Sequence, residues 1–171
     1  MGRGFENLSI IATLVVGSDG STTIEGSSAK VTSVADRENF LNRRRKVDCI
    51  ITGGNSARNE PYSKTPVPLI VISRQKHPQL PDAQVWDCDP CEAIVRASKE
   101  FGSNILIEGG AALISYLLEH KAIDILELSV TQAAGGSDIF ESAKYLNQAE
   151  TIDEKNIDGT IFYTATFKKP K

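Results

Sequence analysis

Apolar strand-like runs and amphipathic stretches alternate along most of the chain. Leu8–Val16 is apolar and β-branched, the composition of a buried strand, and GSDGSTT at Gly17–Thr23 breaks it. VTSVADRENFLNRRRK predicts a helix from about Ser33, with Ser33 as N-cap and Asp36 at the capping-box position. Val47–Thr52 reads as a strand, closed by the loop-like GGNSARNEPYSKTP. Pro68–Ser73 and Gln84–Trp86 are two more strands, separated by the surface loop RQKHPQLPDA. Asp89 then caps a helix with Pro90 at its first position, and Ile94, Val95, Ser98 and Phe101 form its expected buried face.

The segment NILIEGGAALISYLLEHKAIDILELSV carries the sharpest pattern. Ile105–Ile107 is a strand, and a helix from about Gly110 to Lys121 follows, burying Leu113, Ile114, Leu117 and Leu118. Leu126, Leu128 and Val130 alternate with Glu127, Ser129 and Thr131, the period of a half-buried strand. YLNQAETIDEKNIDGTIFYTATF reads as two long strands joined at Asn156–Gly159. Alternating elements followed by a hairpin predict a three-layer α/β domain, one unit over 1–171, with a mostly parallel sheet and an antiparallel C-terminal edge.

Composition narrows the class. At 40% hydrophobic and 24% charged residues, 171 residues can bury a core without staples. A net charge of −3 gives no electrostatic footprint for nucleic acid. No apolar run spans a bilayer, and the N-terminus has no signal-peptide pattern. Three cysteines are an odd number in a chain that needs no disulfides, which favours a reducing cytoplasm. The hairpin and the Ile125–Gln132 strand offer an edge for a second copy, so a homodimer is expected.

The Glu-Gly-Gly turn has a chemical use. The first N–H groups of a helix form an anion site where side chains do not block the approach. Gly109 and Gly110 remove those side chains, Ala111 and Ala112 keep the entry small, and Glu108 stands beside it as an acceptor. A glycine pair can also be only a tight turn. A second strand, however, ends in Gly53-Gly54, and the first ends in Ser18-Asp19-Gly20. Three such ends suggest one shared cleft at the carboxyl edge of the sheet.

Read together, VVGSDG, LNRRRKVDCIITGGNSARNEPY and ILIEGGAALISYLL…IDILELSV resemble the reductase domain of riboflavin biosynthesis, over roughly residues 8–167. The resemblance implies a dihydrofolate-reductase-like fold and an NADPH-dependent reductase. Its substrate would be a pyrimidine ribosylamine 5-phosphate, with hydride delivered to the sugar C1′. It further implies that Gly109 and Gly110 through Leu113 hold the cofactor pyrophosphate, and that Ser56 and Glu60 stand at the cofactor, Glu60 being the catalytic candidate. Ser28, Arg44 and Glu108 would contact substrate, with Arg44 on its phosphate. No metal is implied. The chain departs from the pattern at Gly17, at Lys30 in place of a tryptophan, by one residue missing between Ser56 and Pro61, and by TQAAGGSD lacking a proline. The partner zinc-deaminase domain is not expected, because no His-x-Glu is followed by Pro-Cys-x-x-Cys.

Two other function classes compete. A nucleotide-binding homologue could keep the site and lack the reaction. A thiol redox protein could use Cys88 and Cys91 in WDCDPC, since a helix N-terminus lowers a thiol pKa. Against the redox reading, only QVW precedes the motif, and Asp87 and Asp89 flank Cys88 with charge that raises its pKa. His77 and His120 are isolated surface candidates.

Overall fold

Each predicted apolar run becomes a strand of one eight-stranded sheet, ordered β4-β3-β2-β5-β1-β6-β8-β7. The structure, a computed structural model, describes residues 8–170; residues 1–7 and 171, within the predicted single unit and the N-terminal signal-peptide reading, lie outside the described residues. The strands are β1 (Ser9–Val16), β2 (Cys49–Gly53), β3 (Leu69–Ile72), β4 (Gln84–Trp86), β5 (Asn104–Glu108), β6 (Ile125–Val130), β7 (Thr151–Ile157) and β8 (Thr160–Thr166). The helices are α1 (Val34–Arg44), α2 (Gly54–Asn59), α3 (Pro90–Glu100), α4 (Ala111–Glu119) and α5 (Ser142–Leu146). Strands β4 through β6 in that order pair in parallel, and β8 joins β6 antiparallel.

Helices cover both faces, which is why the central strands are apolar on both sides. On one face, Ile10, Ala12, Leu14 and Val16 of β1 pack with Ile105 and Ile107 and with Ile114 and Leu117 of α4. On the other, Ile50, Val71 and Leu106 pack with Ala57 of α2 and Tyr62. Helix α1 lies on this second face, where Arg43 donates to Thr13 Oγ1 at 2.6 Å. The second face is the more polar one, and it holds the cleft described below.

Several local expectations are corrected. The loop after β2 contains α2, which has a single buried side chain, Ala57, and therefore no stripe to read. Tyr145 and Leu146, expected in a strand, belong to α5, with Tyr145 stacked on Phe140 at 5.1 Å. The buried face of α3 is Ala93, Ile94 and Ala97, because two alanines let the helix approach the sheet closely; Val95, Ser98 and Phe101 only flank it. His77 is buried, not on the surface. The Ile125–Gln132 segment offers no edge, since β6 lies between β1 and β8. The edges are β4 and β7, and β7 is exposed along its whole length. Its turn into β8 places Asp158 and Gly159 at φ 52 and 85, a type I′ pair that suits Asp-Gly.

Candidate functional site

A cleft of about 340 Å³ opens on the second face, at the carboxyl ends of β1 and β5. Its floor is an ion pair. Glu108, last in β5, is 2% exposed, and Arg44, last in α1, is 5% exposed. Arg44 Nε and Nη2 each donate to one Glu108 oxygen, both at 2.8 Å. The guanidinium also lies against the rings of Phe40, 4.4 Å from its centroid, and Tyr62, at 5.0 Å. Burial alone would lower the Arg44 pKa, but the hydrogen bonds and charge of Glu108 leave it raised. Burial, then Glu108, push Tyr62 well above its ordinary value, so it stays a neutral phenol. The fork expected to face a phosphate therefore faces Glu108.

The Glu-Gly-Gly turn divides its glycines between two jobs. A methyl group added at Gly109 would come within 2.8 Å of Leu113 Cδ2, so this glycine lets α4 fold over its own entry. One added at Gly110 would meet nothing within 4 Å. Gly110 is the N-cap of α4, and no side chain caps the helix. Uncapped N–H groups beside open space form a cradle that a pyrophosphate fits and that a branched side chain would fill. Ala111 is buried in the core, Ala112 is exposed, and Leu113 is half-buried. Leu113 also reaches toward Gly53, 3.9 Å from where a methyl group there would lie, so the two Gly-Gly turns are neighbours.

Ser28, Ser56 and Glu60 line the same cleft. Glu60 Oε1 accepts the backbone N–H of Ser28 at 2.7 Å, joining residues from two separate loops. The third strand end serves another purpose. Asp19 accepts N–H groups from Ser21 at 3.0 Å and Gly135 at 2.8 Å, and with the Ser21 hydroxyl these hold its pKa down at about 2. It ties two loops together and does not line the cleft.

The sequence reading missed Asp36, Phe40 and Tyr62 as cleft residues. A signal was present: Asp36, Phe40 and Arg44 recur every four residues and share one face of α1. Cys88 and Cys91 lie at the start of α3, outside the cleft, and burial first, then nearby carboxylates, raise both thiols. Among the described residues no cluster of His, Cys, Asp or Glu could hold a metal ion, and no helix is long and apolar enough to cross a membrane.

Residues 9–137 match the sequence model of the RibD C-terminal domain. The chain belongs to that family. No curated protein matches it by sequence. Among solved structures, it superposes on a Thermotoga maritima diaminohydroxyphosphoribosylaminopyrimidine deaminase/5-amino-6-(5-phosphoribosylamino)uracil reductase with a TM-score of 0.74 at 13% identity. That match covers 95% of this chain and 57% of the Thermotoga chain. A pyrimidine reductase-like protein of Corynebacterium diphtheriae matches with a TM-score of 0.70 at 15% identity, covering 99% of this chain and 96% of the other. Enterococcus faecalis dihydrofolate reductase, solved with NADP(H), also matches with a TM-score of 0.70 at 15% identity, covering 92% and 95%. The RibD C-terminal domain here thus has the dihydrofolate-reductase-like fold predicted for it.

Proposed function

We propose that the protein is a reductase of the riboflavin-biosynthesis type, taking hydride from NADPH to the sugar C1′ of a pyrimidine ribosylamine phosphate. The observation that carries the reading is the uncapped start of α4 at Gly110, open to an anion and placed beside a cleft floored by Arg44 and Glu108. NADPH, when bound, supplies the hydride. The chain supplies position and charge. Backbone N–H groups following Gly110 would hold the pyrophosphate, with Ser56 and Glu60 on the cofactor's other side. Glu60 is the proposed catalytic carboxylate: Ser28 fixes Oε1 and leaves Oε2 for a ligand. Arg44 acts on substrate through Glu108, holding both oxygens of that buried carboxylate in place. Arg37 and Lys64 line the cleft, form no ion pair among the described residues, and can meet a phosphate.

The test is loss of the reduced nicotinamide absorbance on mixing the protein, NADPH and 5-amino-6-(5-phosphoribosylamino)uracil. Turnover supports the reading. Tight NADPH binding with no turnover would leave a nucleotide-binding homologue instead. The proposal includes a homodimer formed along the β7 edge, where Ile152 and Ile157 are 45% and 41% exposed. Light scattering during size-exclusion chromatography would return a monomer mass if that part is wrong.

A further inference from the structure

One polar row crosses the second face of the sheet. Glu108 of β5, Thr13 of β1, Glu127 of β6 and Thr164 of β8 are successive cross-strand partners, so their side chains share that face. Two consecutive arginines of α1 divide the row between them. Arg44 forks onto Glu108. Arg43 turns the other way: its Nη1 donates to Thr13 Oγ1 at 2.6 Å, and its Nη2 lies 3.8 Å from Glu127. Thr164 donates to Glu127 at 3.0 Å, which completes the outer end. Thr13 is the member that the fold leaves half-used. It is 6% exposed and lines the cleft beside Glu108. Its oxygen accepts from Arg43, but among the described hydrogen bonds its hydroxyl donates none. A buried hydroxyl proton without an acceptor costs stability. The guanidinium occupies the oxygen and polarises the O–H bond, which strengthens it as a donor.

We infer that Thr13 is a substrate contact held in place by Arg43: its hydroxyl and the Glu108 carboxylate together bind one alcohol group of a polyhydroxy substrate at the cleft floor. Thr13 supplies the donor. Glu108 supplies the acceptor, since each carboxylate oxygen has about two acceptor positions and Arg44 fills one on each. The two residues are direct partners across β1 and β5, so donor and acceptor open side by side. An alcohol both accepts and donates, and so satisfies both. A carbonyl oxygen would face the Glu108 charge, and an ammonium group would leave the Thr13 proton unpaired. That the alcohol belongs to a sugar rests on the proposed function; the paired demand for an acceptor and a donor rests on Thr13 and Glu108. Arg43 is a positioning residue, acting only through Thr13.

The probe is D-ribose 5-phosphate, titrated onto the protein by calorimetry, with NADPH affinity followed in parallel. Thr13→Val keeps the shape of the side chain and removes the hydroxyl. It should weaken sugar binding about fivefold or more, the loss expected for one hydrogen bond. Thr13→Ser restores the donor and should bind within about twofold of wild type. Arg43→Met should give an intermediate loss, which also decides the matter if Thr13→Val does not fold. NADPH affinity should stay unchanged in all three. Equal weakening by valine and serine would make Thr13 a packing residue and overturn the contact. Wild-type affinity in folded Thr13→Val or Arg43→Met, or no binding of the probe by the wild-type protein, would overturn it as well. Sugar binding that follows the expected pattern, with no NADPH oxidation by the wild-type protein on 5-amino-6-(5-phosphoribosylamino)uracil, would sink the reductase reading and leave the alcohol contact standing.

Discussion

Arg44 and Glu108 stand 64 residues apart in sequence and meet in a buried two-point ion pair, each hydrogen bond 2.8 Å long. The strand–turn–helix carrying Glu108 and the helix carrying Arg44 are thereby fastened at the floor of the cleft. Removing one partner leaves the other charged and dry. Arg44→Met should therefore destabilise the fold by about 3–5 kcal/mol. Adding Glu108→Gln should recover more than about 1 kcal/mol of that loss, since the stranded charge is gone. Urea unfolding of the three proteins checks both. A neutral Arg44→Met variant with weakened binding of a phosphorylated substrate would return Arg44 to the direct phosphate contact expected from sequence.

The glycines of the α4 entry should respond differently. Gly110→Val introduces its side chain into open space at an ordinary φ of −79, so the fold should tolerate it. NADPH affinity should drop by more than about tenfold, or about 1.4 kcal/mol, because the side chain occupies the anion's approach. Gly109→Ala should instead lower thermal stability, as its methyl group meets Leu113 at 2.8 Å. Fluorescence titration with NADPH and a melting curve for each variant distinguish the two; unchanged NADPH binding in Gly110→Val would make the turn only a turn.

Asp19 makes a pH-dependent prediction. Its folded pKa, about 2 against an ordinary 3.8, is depressed, so its contribution is present above the ordinary value and lost as pH falls toward about 2. Asp19→Asn should melt below wild type at neutral pH, with the difference in Tm shrinking through the window from about pH 4 to pH 2. A Tm difference that persists unchanged at the acid end would mean that the carboxylate's charge is irrelevant to the loops it joins.

The cysteines should be dispensable. Cys88→Ser combined with Cys91→Ser should retain NADPH oxidation, since both thiols have raised pKa values and lie outside the cleft. Loss of turnover with NADPH binding preserved would bring back the thiol redox reading.

The sequence by itself determined the elements and their local closures. Period-two and continuous apolar runs marked the strands, Asp89 with Pro90 fixed the start of α3, and Asp-Gly fixed the hairpin turn, because each signal acts over a few residues. The Glu-Gly-Gly entry was legible for the same reason: strand end, bare backbone and helix start are adjacent in the chain. Only the tertiary structure decided what the polar side chains do. Arg44 looked free for a phosphate until α1 docked across the end of β5 and gave it Glu108. Glu60 acquired the Ser28 N–H from a loop 32 residues away. Asp36 read as half of a capping box, but its carboxylate turned to Thr32 and the cleft. A charged group's partner is set by burial and by which elements cross above it, and neither quantity is local to the residues that carry the charge.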